Sequence, residues 1–161
     1  MYEIQISNNQ QLLPINDSFV EDVVSKTLTA QAVVSAEIVV ALVTDDAIHE
    51  VNREHLQHDY ATDVISFLYE ETTIEPVQEL NDQQRGAGLH LDGEIVLSIE
   101  TAIREAKEYG WAPEHEVQLY IIHGLLHLCG YDDLSEDEQT IMREQERKTL
   151  SLWGLEPHYK N

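Results

Sequence analysis

Apolar and polar residues alternate from Tyr2 to Ser7, a period of two that predicts a strand with one buried face. From Asp17 to Ala30 the apolar positions recur at helical spacing, with Asp17 or Ser18 as the expected cap. The β-branched, apolar run Ala36 to Val43 predicts a second strand. Asp45 to Leu56 reads as a helix opened by an acidic cap, and Val64 to Phe67 and Glu94 to Ser98 read as short apolar strands. The polar, acidic stretch between them, Glu70 to Gly93, contains Arg85-Gly-Ala-Gly88 and is expected to be a mobile surface loop. Beyond Ser98 the spacing is helical throughout, over Ile99 to Tyr109, Pro113 to Cys129 and Ser135 to Ser151. Pro113 suits a first helical position, Glu114 and Glu116 favour the positive end of a helix dipole, and Ser135-Glu-Asp-Glu138 is a capping box.

Strands in the first two thirds and helices at the end imply an α+β domain, a small mixed β-sheet covered by helices. No repeat, low-complexity tract or Pro-rich linker marks a boundary, so one domain over residues 1–161 is expected. No apolar run approaches the roughly 20 residues needed to cross a bilayer, which argues against a membrane role. The single cysteine, Cys129, excludes an internal disulfide, and the start MYEIQISNNQQ has neither the basic nor the apolar region of a secretion signal. A reducing cytoplasm is the expected setting. Nine Lys and Arg against 31 Asp and Glu give a formal net charge of −22, which repels nucleic acid at long range unless a metal and a few arginines make one cleft locally attractive.

The segment richest in chemistry is His123-Gly-Leu-Leu-His-Leu-Cys-Gly-Tyr-Asp-Asp133, at the end of a strongly apolar helix. Residues i and i+4 share a helical face, so His123 and His127 can point at one ion. Gly130 suits the left-handed conformation that ends a helix, and the turn it makes can fold Asp133 back beside both histidines. Two nitrogens and one carboxylate oxygen leave positions open, the pattern of a catalytic rather than a structural zinc site. Asp132 competes for the third place, but the offsets of H-E-x-x-H-x-x-G-x-x-H enzymes favour Asp133. Those enzymes carry their proton-accepting glutamate directly after the first histidine, where this chain has Gly124, so the usual peptide-cleaving base is missing.

HGLLHLCGYDD resembles the mark of the YbeY family of endoribonucleases, H-G-x-L-H-L-x-G-Y-D-H. Two further blocks, Asn52 through Ala61-Thr-Asp-Val-Ile-Ser-Phe67 and Gly93-Glu-Ile-Val-Leu-Ser98, occur in the family's order. The resemblance implies a zincin-like fold and a zinc-dependent single-strand endoribonuclease using one Zn²⁺. It also implies work on the 3′ end of small-subunit ribosomal RNA and in ribosome quality control. Single-stranded or ribosomal RNA, and ribosomal proteins, are the implied partners; DNA and membranes are not. By position the metal ligands fall on His123, His127 and Asp133. Many members have histidine at the third place; an aspartate adds negative charge, makes bound water less acidic and shifts preference towards harder ions.

Leu56 stands where many members carry an arginine thought to act on RNA, so that role does not transfer. Arg53, His55 and His58 are candidate substitutes as well as ordinary surface residues, and Thr62-Asp63 reads equally as a strand-opening turn. Arg104 and Lys107 share one helical face, as do Arg143 and Arg147. Cys129 falls off the histidine face, as a buried small residue would, and Glu116 either complements the dipole or orients a ligand. No general base is assigned by the sequence. Two other readings stay open: a ribosome-assembly factor that binds without cleaving, and a metallopeptidase with metzincin-like ligand spacing.

Overall fold

The computed structural model describes residues 1–56, 63–79 and 81–159. Its elements run β1 (Tyr2–Asn8), α1 (Asp17–Ala30), β2 (Ser35–Val43), α2 (Asp45–Val51), β3 (Val64–Thr73), β4 (Leu89–Ser98), α3 (Ile99–Tyr109), α4 (Pro113–Leu128) and α5 (Glu136–Leu150). A π-helical turn over Asn52–Leu56 follows α2, and a 3-10 turn over Ser151–Trp153 follows α5. The helix expected through Leu56 therefore changes its winding after Val51.

The sheet order is β1-β2-β4-β3, with β1, β2 and β4 parallel and β3 antiparallel to β4. The architecture is the expected α+β one. Val20, Val24 and Leu28 of α1 and Ile121, Ile122 and Leu125 of α4 bury one face of the sheet with Ile38, Val40 and Leu42 of β2. Ile48 of α2 packs on the other face with Ala41, Val43, Ile65 and Val96. Helix α4 is buried along most of its length, so truncating Leu125, wholly inaccessible, to alanine would cost roughly 2–5 kcal/mol. Among the described residues no helix is long and apolar enough to cross a membrane.

Three local expectations need correction. Strands β3 and β4 pair as far as Thr73 with Leu89, well inside the stretch expected to be a loop. Glu70 to Thr73 lie exposed and little core lies beneath them, so backbone pairing forms this part of the hairpin without a hydrophobic signature. The Arg85 region is not a free loop either, because Arg85 forms ion pairs with Asp82 (2.8 Å) and Glu138 (2.9 Å). The start of α1 is capped by the backbone of Asn16, with no side-chain bond, rather than by Asp17 or Ser18. Ser135 does cap α5, its Oγ accepting the Glu138 N–H at 3.1 Å, while the Glu138 carboxylate is engaged by Arg85.

Asp45 opens α2 but its carboxylate works across elements. It accepts hydrogen bonds from Ser98 Oγ (2.5 Å), Thr101 Oγ1 (2.7 Å) and Arg104 Nη1 (3.2 Å), tying α2 to the start of α3. Burial alone would raise its pKa; the bonds from Ser98, Thr101 and Arg104, with the Arg104 charge, outweigh burial and hold the carboxyl below the usual carboxylate range. A depressed folded-state pKa adds stability that is present above the ordinary aspartate value and is lost as pH falls through the folded one. Asp45→Asn should therefore lower unfolding free energy at neutral pH by on the order of 1–3 kcal/mol in urea titrations. The gap from the unsubstituted protein should close as pH drops below about 4.

Candidate metal centre

Helix α4 ends in a two-bond turn. The Tyr131 N–H reaches back to Leu126 O at 3.0 Å and the Gly130 N–H to His127 O at 3.1 Å, with Gly130 at φ +106°. This is the Schellman arrangement, which needs a left-handed residue at the position Gly130 occupies. Its geometry has two results. The Tyr131 carbonyl comes to lie 3.0 Å from His127 Nδ1, and the chain turns so that Asp133 faces the helix it has just left.

His127 Nε2 and His123 Nε2 are 3.0 Å apart. Asp133 Oδ2 stands 3.6 Å from the first ring's Nε2 at His123 and 3.8 Å from that of His127. Three ligand atoms about 2.0–2.2 Å from one tetrahedral ion are themselves roughly 3.3–3.6 Å apart. The observed separations bracket that spacing, so these three side chains can hold a metal ion. Asp132, the competing candidate, instead has its Oδ1 accepting the Leu134 N–H at 3.1 Å.

Both rings are oriented by what their other nitrogen touches. His127 Nδ1 is placed to donate to the Tyr131 carbonyl, and His123 Nδ1 lies 2.5 Å from Glu146 Oε2 of α5. With both protons on Nδ1, both Nε2 lone pairs face the common point beside Asp133. Burial lowers the pKa of His127, and the adjacent His123 lowers it further, which favours the neutral ring a cation needs. Burial also opposes protonation of His123, but the hydrogen bond and charge of Glu146 and the charges of Asp133 and Asp63 outweigh it and raise the pKa. A proton therefore competes with a cation for this ring.

Position 124 explains itself structurally. A Cβ there would lie 3.1 Å from Ile95 Cγ2 and 3.1 Å from Ser66 Oγ, and Ser66 donates to the Gly124 carbonyl at 2.9 Å. This face of α4 looks into the sheet. A glutamate at 124 would have to enter β3 and β4.

A cleft of about 560 Å³ opens beside the centre, lined by His123 and Asp133 and by Asp63, Arg104, Glu105, Glu116, Arg143 and Tyr159 among others. Arg104 and Arg143 thus reach it, whereas Lys107 and Arg147 do not line it. Arg53 pairs with Glu50 at 2.6 Å, and His55 meets the Phe67 ring edge-on at 5.8 Å; neither lines the cleft. His58 and Thr62 lie outside the described residues, as does the side chain of Leu56. Cys129 is buried as expected, and burial pushes its thiol up to about 12. Glu116 does not orient a ligand: it is buried, accepts from Trp111 Nε1 at 2.7 Å and lies 3.2 Å from His158 Nε2.

Among the residues whose place at the centre the sequence did not reveal is Glu146. A signal existed: it falls on the buried stripe of α5 formed by Met142, Gln145, Thr149 and Leu150. A carboxylate on an inward stripe demands a partner. Arg85 also bears on the centre, since its Nη1 donates to Gly130 O at 3.2 Å, its guanidinium sits 4.8 Å over the Tyr131 ring and its N–H meets Tyr131 Oη at 3.2 Å.

The model of the family described as "Endoribonuclease YbeY" matches residues 5–154 of this chain. An "Endoribonuclease YbeY" of Carboxydothermus hydrogenoformans is 36% identical over 155 residues, covering 94% of this chain and 98% of that one. One of Rhodopirellula baltica is 39% identical over 143 residues, covering 82% of this chain and 66% of that longer protein. The solution structure of TM1509 from Thermotoga maritima superposes with a TM-score of 0.57 at 21% identity, covering 100% of this chain and 97% of that one, and speaks to the fold alone.

Gly130→Ala should expose the dependence of the centre on its turn. A side chain at φ +106° costs on the order of 1–2 kcal/mol, which should appear as a lower unfolding midpoint. The separations of the three donor atoms, read from the structure of the variant, should widen as well, because the same turn carries both Asp133 and the Tyr131 carbonyl.

Proposed function

This chain belongs to the endoribonuclease YbeY family, and on that premise we propose that it is a metal-dependent single-strand endoribonuclease of ribosomal RNA maturation. The proposed substrate region is the 3′ end of the small-subunit RNA, with a part in ribosome quality control, and the proposed ion is a single Zn²⁺ in the cytoplasm. The observation that carries the reading is the triangle of His123, His127 and Asp133 donor atoms at 3.0, 3.6 and 3.8 Å, facing an open cleft.

A bound divalent cation supplies Lewis acidity towards a phosphodiester and draws the pKa of water down towards neutrality. The protein's own residues set the conditions. His123 and His127 present their Nε2 atoms, and Asp133 presents a carboxylate oxygen. The cleft carries Asp63, Glu105, Glu116, Asp133 and Glu146 against Arg104 and Arg143, so its field repels a phosphate strand until a cation offsets it. Arg104 is held by Asp45 and Thr101, and Arg143 lies 4.7 Å over the Tyr159 ring, so both guanidinium groups are steadied at the rim where a backbone phosphate would pass. The peptidase reading loses support because position 124 is a glycine, with Ile95 and Ser66 crowding the place where a glutamate's Cβ would sit.

Purified protein should cut single-stranded RNA in the presence of Zn²⁺, leave casein intact, and stop on chelation. Asp133→Ala should slow RNA cleavage by about 100-fold or more. Cleavage unchanged in that variant would overturn the reading, and RNA binding without turnover would support an assembly factor instead.

A further inference from the structure

Glu146 is a buried carboxylate, about 4% exposed, on a helix that is otherwise polar where it meets solvent. Its two oxygens are divided between two partners. Oε2 lies 2.5 Å from His123 Nδ1, and Oε1 accepts the hydroxyl of Tyr159. A carboxylate removed from water is costly unless its lone pairs are engaged, so this arrangement needs both partners.

Tyr159 belongs to the segment that follows α5. Gly154, at φ +72°, reverses the chain after the 3-10 turn, and the Leu155 N–H closes the reversal on Leu150 O at 3.1 Å. The segment then crosses the cleft and is held at two points. His158 stacks on Tyr109 with ring centroids 3.8 Å apart and lies 3.2 Å from Glu116 Oε1 of α4. Tyr159 sits beneath the Arg143 guanidinium, at 4.7 Å, with its hydroxyl on Glu146. A strap seated on Tyr109 of α3 and Arg143 of α5 thus brings its phenol to the carboxylate behind His123.

We propose that Glu146 is a positioning residue for the ligand His123, and that the C-terminal strap, through Tyr159, holds Glu146 in place. The inference rests on the reading of His123, His127 and Asp133 as a cation site. The two histidines are oriented by unlike means. The partner of His127 is a backbone carbonyl, which cannot be removed by substitution, whereas that of His123 is an anion on another helix. An anionic acceptor at Nδ1 fixes the tautomer and makes Nε2 a stronger donor to a cation. It also brings a second carboxylate to the centre, on the far side of the His123 ring from Asp133.

The test uses the full chain and Zn²⁺ alone, with affinity measured by chelator competition and no RNA present. Glu146→Gln, which keeps the shape and removes the charge, should bind Zn²⁺ about 10-fold more weakly, and Glu146→Ala up to about 100-fold. Tyr159→Phe should cost about 2- to 10-fold, the value of one hydrogen bond. In ¹H–¹⁵N spectra of the metal-free protein, the His123 Nδ1 proton should be present and shifted far downfield, and Glu146→Gln should move it upfield. A Glu146→Gln protein that folds and binds Zn²⁺ like the unsubstituted chain overturns the proposal. Should that variant fail to fold, an unprotonated His123 Nδ1 in the unsubstituted protein, or unchanged affinity in Tyr159→Phe, overturns it equally. Loss of Zn²⁺ binding in these variants, in a protein that never cuts RNA, would sustain this inference while removing the activity proposed above.

Discussion

The pair of backbone hydrogen bonds that closes α4 at Gly130 is the constraint on which the rest of the centre depends. A helix delivers two imidazoles to one face by spacing alone, but a third donor must return from beyond the helix end. The left-handed glycine reverses the chain within one residue, and the carbonyl it exposes on Tyr131 becomes the acceptor for His127. One turn therefore supplies both the third donor and the orientation of the second.

The burial of α4 gives that turn a fixed place. Its apolar residues are enclosed by α1 and the sheet, and Gly124 lets the helix approach β3 and β4 closely enough for Ser66 to bond its carbonyl. The histidines occupy what is left of the helix surface, and His123 faces the cleft lined by α3, α4, α5 and the strap. The closeness of Ile95 and Ser66 explains why this chain carries glycine at position 124.

How much of this was legible in the sequence follows from distance along the chain. His123, His127, Gly130 and Asp133 lie within eleven residues, and their geometry follows from helix periodicity and one turn, so the reading of the segment needed no tertiary information. The α+β class was legible for the same reason, since each element carried its own period. The far half of the β3–β4 hairpin was not, because its residues lack a buried face and only pairing makes them a strand. Glu146 and Tyr159 were missed because their meaning depends on helices and a tail meeting across the cleft. Glu116 looked like a dipole residue and proved to be a buried acceptor for Trp111 Nε1, with His158 beside it.

The clasp made by Arg85 has a consequence for how such a protein can vary. This side chain leaves the hairpin connection and grips the carbonyl of Gly130, the ring of Tyr131 and the first turn of α5 through Glu138. Two stretches some 45 residues apart in sequence are thereby coupled. Length changes at the outer tip of the connection leave the grip intact, while a shift of frame next to Arg85 would be transmitted to the spacing of the donor atoms. Drift in an apparently peripheral loop and drift in the spacing of His123, His127 and Asp133 are, in this architecture, linked traits.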